Sequence, residues 1–143
     1  MEGLEDHPSI ITIDVQWGDM DALGHVNNTV PVRWYESSRI NYMEVTGIAE
    51  LMEGLGFGPI LAAVHCNYRR QLFYPDTVRI GCRATRLGGS SVTLSHTVIS
   101  EKSSEVSSDG ESILVIFDFK KQKPVRIPDG IRQRVIELHP ELA

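Results

Sequence analysis

With 143 residues, 14 Lys and Arg against 19 Asp and Glu, and a formal net charge of −5, the chain has the size of one domain and the wrong sign for a general nucleic-acid binder or a polybasic membrane-surface protein. No apolar run is long enough to cross a bilayer, and the start, Met-Glu-Gly-Leu-Glu-Asp-His-Pro, lacks the apolar core of a secretory signal. Cys66 and Cys82 belong to no C-x-x-C pair, so free thiols in a reducing cytosol are expected rather than a disulfide framework.

Residues 1–8 read as a lead-in closed by Pro8. From Ser9 to Trp17, apolar Ile11, Ile13, Val15 and Trp17 alternate with Thr12, Asp14 and Gln16, which predicts a strand burying one face. Gly18 ends it and a polar loop follows. A helix is predicted from about Asn28 to Thr46. Asn27 or Asn28 can cap it, because a short amide side chain accepts an early helical N–H. Pro31 is tolerated in the first turn, where a missing N–H costs little. Val30, Trp34, Tyr35 and Met43 fall near helical spacing, and Glu36 and Arg39 can pair at i, i+3. Val30, Val32 and Tyr35 are mediocre helix formers, so burial must supply most of the stability. Gly47 is the expected stop, Ile48 to Leu55 a second short helix, and Gly54, Gly56, Gly58 and Pro59 end helical order.

Four further strands are expected. Pro59 to Arg69 puts Ile60, Ala62, Val64, Cys66 and Tyr68 on one face, and Leu61, Ala63, His65, Asn67 and Arg69 on the other. Tyr74-Pro75-Asp76 marks a turn. Thr77 to Leu87 alternates Val78, Ile80, Cys82 and Ala84 against more polar neighbours. Gly88-Gly89 predicts a hairpin turn, and Ser91 to Ser100 then carries Val92, Leu94, His96 and Val98 on one face. Serine-rich, charged Glu101 to Gly110 reads as a solvated hairpin loop, and Ile113 to Phe119 as a strand covered on both faces. Asp129 can cap a last helix reaching Leu138. A strand, a long helix and then a meander contain no β-α-β alternation. The class is therefore α+β: an antiparallel sheet of about five strands with helices gathered on one side, in a single domain over residues 1–143.

The chemistry concentrates in Asp19 to Glu36, where two carboxylates, a glycine, a histidine and two asparagines precede the helix. A helix start offers unbonded N–H groups and a positive dipole end. An anionic base or nucleophile beside such amides is the equipment for attacking a carbonyl. Asp21-Ala22-Leu23-Gly24-His25-Val26-Asn27-Asn28, followed by Trp34-Tyr35-Glu36 and Arg39, resembles the hotdog-fold acyl-CoA thioesterases of the 4-hydroxybenzoyl-CoA thioesterase type. Tyr68 to Asp76, between the first two strands of the meander, extends the likeness to most of the chain. The resemblance implies a long central helix wrapped by a curved sheet and hydrolysis of an acyl-CoA to a free acid and CoA. It implies no cofactor beyond the coenzyme carried by the substrate, and subunits paired as a homodimer or homotetramer. Family members commonly carry tyrosine where this chain has Pro31, which alters the acyl pocket.

Spacing alone makes Asp21 a turn-forming aspartate, since Asp-x-x-Gly is common turn chemistry. The resemblance instead puts the catalytic aspartate there, and the oxyanion-donating backbone N–H at Asn28. His25 can meet the substrate carbonyl or orient a water, or brace the loop, with Gly24 beside it. Asp19 reads as a brace. Glu36 reads as an ion-pair partner of Arg39 or Arg33, and as the reserve catalytic carboxylate. Among Arg69, Arg70, Arg79, Arg83 and Arg86, the adjacent Arg69 and Arg70 are taken as the coenzyme A contacts, because arginine grips phosphate well. His65 and His96 read as satisfied strand histidines, and no zinc-like spacing exists, so no metal is expected. The rival readings are an acyl-carrier-protein thioesterase and a non-catalytic acyl-CoA binder. Hydration of enoyl-CoA fits the spacing poorly, and no Gly-x-Ser-x-Gly elbow is present.

Overall fold

In the computed structural model, which describes residues 3–143, β1 (Ser9–Asp14) leads through a 3-10 turn at Trp17–Asp19 to the long helix α1 (Thr29–Val45). Then come α2 (Ile48–Met52), β2 (Phe57–Tyr68), β3 (Thr77–Leu87), β4 (Ser91–Ser100) and β5 (Val106–Asp118). A two-residue β6 (Lys123–Pro124) and α3 (Asp129–Leu138) follow. All strand pairs are antiparallel, in the order β1-β3-β4-β5-β2 with β6 added to β5. The helix α1 touches all the long strands of the sheet, which is the α+β hotdog arrangement expected.

The ends of α1 follow from local chemistry. Asn27 Oδ1 accepts the Thr29 N–H at 2.9 Å and the Thr29 hydroxyl at 2.7 Å, so Asn27, not Asn28, satisfies the first turn. At the other end Gly47 sits at φ +80°, a left-handed conformation that costs glycine little and reverses the chain into α2.

Two apolar clusters line α1. Its first half sets Trp34 and Tyr35 against Val15, Val26, Leu72, Val78, Ile80 and Val98. Its second half sets Tyr42 against Ile48, Leu94, Ile116, Ile127, Ile131 and Val135, with α3 as a lid. Burying one such aliphatic side chain stabilises by about 1.5–3 kcal/mol, which offsets the weak helix propensity of α1.

Five expectations need correction. Trp17 is 77% exposed, because β1 stops at Asp14 and the 3-10 turn carries the indole away from the core. The second helix ends at Met52, short of Leu55. The supposed loop Glu101 to Gly110 is a turn only to residue 105; from Val106 it is already β5. Its serines are buried there: Ser107 3%, Ser108 1% and Ser112 0% exposed. Within β5, Leu114 and Ile116 are buried while Ile113, Val115 and Phe117 are half-buried, so the two faces are not equally covered. Finally, β2 carries a bulge: Leu61 pairs with Leu114 and Ala63 with Ile113, leaving Ala62 extra. A bulge shifts the alternation by one residue. Pro59 and Leu61 therefore share the helix-facing side with Cys66, and Ile60 does not.

Candidate active site

The loop ahead of α1 is held by its own backbone. The Gly24 N–H donates to the Asp21 carbonyl and the Asp21 N–H to the His25 carbonyl, both at 3.0 Å. Gly24 closes this turn at φ +85°, where a side chain would be strained. The Val26 N–H donates to the Leu72 carbonyl at 2.8 Å, tying the loop to the β2–β3 connection, and the Asn27 N–H donates to the Asp19 carbonyl at 2.9 Å. Asp19 Oδ2 accepts the Gln16 N–H at 2.8 Å, a bracing contact of the kind read from the sequence.

Asp21 is half-buried, and both carboxylate oxygens are engaged. Oδ1 accepts the Leu23 N–H at 2.9 Å and Oδ2 accepts the Asn27 side-chain amide at 3.2 Å. Asn27 thus links the carboxylate to the start of α1 through one side chain.

A cavity of about 300 Å³ opens in front of this helix start, lined by His25, Asn28, Pro31, Tyr68, Arg69 and Arg70, with Val26 and Leu72 as apolar wall and Ser108 as a polar one. Four of the residues singled out from the sequence meet here: His25, Asn28, Arg69 and Arg70. Asp21 and Gly24 lie in the adjoining loop and do not line it. Asn28 accepts the Tyr68 hydroxyl on its carbonyl. The Thr29 N–H is taken by Asn27 Oδ1 and the Val30 N–H by the Asn27 carbonyl. The Asn28 N–H has no protein acceptor among the described residues. His25 donates from Nδ1 to the Val26 carbonyl at 3.2 Å, which leaves Nε2 open.

Sequence reasoning singled out no role for Tyr68 or for the hydroxyls beside it. The Tyr35 hydroxyl donates to Ser108 Oγ at 3.1 Å and lies 3.4 Å from Cys66 Sγ. Burial, helped by the neighbouring Cys66 thiol, pushes the Tyr68 phenol up to about 12 and raises that of Tyr35 further. Both therefore stay protonated as donors. Tyr35 stacks on His96 with ring centroids 4.6 Å apart. His96 bonds Ser38 Oγ at 3.0 Å and Ser112 Oγ at 2.8 Å, and burial pushes its imidazole down to about 3. The signal for this network was present as Ser108 and Ser112 on one face of β5 and Ser38 on α1, since a buried hydroxyl needs a partner.

Four of the five arginines singled out from the sequence are paired with a carboxylate. Arg69 forms a two-point pair with Asp109 at 3.0 and 3.1 Å, and Arg70 pairs with Glu105 at 2.7 Å. Arg79 pairs with Glu101 at 3.0 Å, and Arg83 with Asp6. Glu36 lies 3.9 Å from Arg39, the i, i+3 pair expected, and outside the cavity. His65 is exposed and bonds Asn67 Oδ1 at 3.0 Å.

One helix wrapped by a single curled antiparallel sheet, with a cavity at the helix N-terminus, is the hotdog arrangement, and the family match makes the chain a hotdog-fold thioesterase, a thioester hydrolase. The family model of the Thioesterase-like superfamily matches residues 15–135, and the chain belongs to that superfamily. It is similar to a Thermus thermophilus thioesterase solved with coenzyme A and zinc, at 33% identity and a TM-score of 0.80, over 95% of this chain and 98% of that one. A Staphylococcus aureus DHNA-CoA thioesterase, 23% identical with a TM-score of 0.80 over 93% of each chain, shares the fold. Bacillus subtilis YsmA is 29% identical over 82 residues, 57% of this chain and 54% of YsmA, so the match spans about half of that relative. No helix is long and apolar enough to cross a membrane among the described residues.

Proposed function

We propose that this chain hydrolyses an acyl-CoA thioester to the free acid and coenzyme A. The observation that carries the reading is the cavity of about 300 Å³ at the start of α1, where Asn28 offers an N–H without a protein acceptor. Membership of the thioesterase-like superfamily supports the bond cleaved, and the coenzyme A bound by the Thermus relative supports the form of the substrate.

The acyl oxygen points at the Asn28 N–H, and a donor of this kind is worth about 100–1,000-fold in turnover. Asp21 either attacks the carbonyl carbon, expelling the thiolate and leaving a mixed anhydride for water to open, or takes a proton from an attacking water. A thiolate leaves readily, so neither route needs a strong general acid. Asn27 holds the Asp21 carboxylate one residue from that amide. His25, open at Nε2, meets the carbonyl or the water, and Gly24 gives the loop its turn. Arg69 and Arg70 stand at the mouth for the coenzyme's phosphates. Their ion pairs are solvent-exposed and exchange readily for a phosphate.

The working unit is a homodimer or a homotetramer. Strand β2 is a sheet edge whose Ile60, Leu61 and Val64 are 36%, 43% and 39% exposed. An unpaired apolar edge is a template for another strand. A second copy paired there would wall the cavity beyond Tyr68. The free thiols of Cys66 and Cys82 suit a reducing cytosol.

A thiol-release screen over a panel of acyl-CoAs, with Asp21→Asn alongside, tests the reading. The variant is expected to lose about 100–10,000-fold in kcat with an unchanged circular dichroism spectrum. Full activity in it would overturn the role of Asp21. Rates on the coenzyme and carrier-protein forms of one acyl group decide which thioester is preferred.

A further inference from the structure

A groove of about 430 Å³ lies between the β2–β3 connection and the β4–β5 turn, with Phe73, Asp76, Ser100, Lys102 and Arg70 in its wall. It shares Arg70, Gln71 and Leu72 with the catalytic cavity, so the two spaces adjoin across that segment. The reaction described above uses none of what is particular to it.

Its chemistry is specific. The Phe73 ring is 51% exposed and Tyr74 beside it 47%, which leaves aromatic faces open where a chain would normally bury them. Lys102 forms no salt bridge among the described residues. Arg70, also in the wall, pairs only with the exposed Glu105 among the described residues. The acid in the wall, Asp76, has both oxygens committed to the surrounding loop. Oδ1 accepts the Thr77 N–H at 2.7 Å and the Lys102 N–H at 3.2 Å, and Oδ2 accepts the Ser100 hydroxyl. Every base has a π-face that an aromatic ring can carry, and cations on either side suit the phosphates attached to it.

We propose that this groove binds the phosphorylated adenosine end of the coenzyme, with Phe73 under the purine and Lys102 and Arg70 on the phosphates. The proposal rests on the acyl-CoA reading and deepens it. It also separates coenzyme from carrier protein, because a carrier's pantetheine arm brings no adenosine.

Adenosine 3′,5′-bisphosphate is the probe. Titrated calorimetrically into the full chain, it is expected to bind the wild type and to bind Lys102→Ala and Phe73→Ala roughly tenfold more weakly, the scale of one lost phosphate contact or one lost stacking platform. In turnover, the ratio of kcat/KM on an acyl-CoA to that on the matching acyl-pantetheine is expected to fall by a similar factor in both variants. No binding to the wild type, equal binding to all three proteins, or an unchanged ratio would each overturn the groove. If neither thioester is cleaved, the catalytic reading fails, and the bisphosphate titration still decides the groove by itself.

Discussion

Helix α1 carries two buried tyrosines seven residues apart, and each stacks on a histidine: Tyr35 on His96 with centroids 4.6 Å apart, and Tyr42 on His139 at 6.1 Å. The pairs look alike and do different work. His139 Nε2 accepts the Ala84 N–H at 3.2 Å and lies 3.0 Å from the Tyr42 hydroxyl. A backbone N–H can only donate, so the His139 proton sits on Nδ1, facing Glu141 at 4.0 Å. That stack pins the end of α3 to β3 and seals an aliphatic core. The Tyr35 stack is surrounded instead by Ser38, Ser108 and Ser112, and its hydroxyl reaches a residue of the cavity wall. One helix therefore has a closed half and an open half. What separates them is the covering: α3 over the first, and no equivalent helix over the second among the described residues.

The sharpest way to break this contrast is Gly110→Ala. A Cβ there would lie 2.0 Å from the His65 carbonyl and 2.9 Å from the Tyr35 ring. We expect a loss on the order of 3 kcal/mol or more in urea unfolding, and a fall in turnover as the open half is displaced. Acid comes next. His96 titrates near 3 in the folded chain against 6.5 when free, and burial lowers His7 and His139 in the same direction. Between those values the unfolded chain binds more protons. Stability is thus complete above 6.5 and falls as pH drops towards 3, by about 1.4 kcal/mol per pH unit for each histidine whose shift spans the interval. Unfolding midpoints measured from neutral to acid pH check the slope, which His96→Gln should flatten. Tyr42→Phe is smaller, about 1 kcal/mol of stability from one buried hydrogen bond, with kcat unaffected. A larger loss of kcat than of stability there would erase the distinction between the halves. Tyr68→Phe releases the Asn28 carbonyl at the surface and should lower kcat about threefold, the low end for one hydrogen bond, with the melting temperature unmoved.

Periodicity was enough where one face of an element meets a continuous core. Strands β3 and β4 run over Thr77–Leu87 and Ser91–Ser100, as the alternation predicted, and Val78, Ile80, Cys82 and Ala84 are all 0% exposed. Asn27, Gly47 and the Glu36–Arg39 pair follow from local rules that need no tertiary knowledge. The reading failed where polarity and burial part company. Ser107 and Ser108 looked solvated because serine usually is, yet a buried tyrosine and a neighbouring strand take their hydroxyls. In β2 the apolar pattern was read correctly as a strand, but its exposure comes from its position at a sheet edge, which no single stretch of sequence encodes. At the site, His25, Asn28, Arg69 and Arg70 line one cavity. Asp21 makes the turn contacts that its Asp-x-x-Gly spacing predicted, its carboxylate accepting from the Leu23 N–H and the Asn27 amide.

The extra residue in β2 has a practical side. Because Leu61 and Ala63 already oppose consecutive partners on β5, excising Ala62 would keep every later side chain pointing where it now points, and would only flatten the kink. The strand has one dispensable link, and shortening it there adjusts how tightly the sheet curls without rewriting which residues look inward.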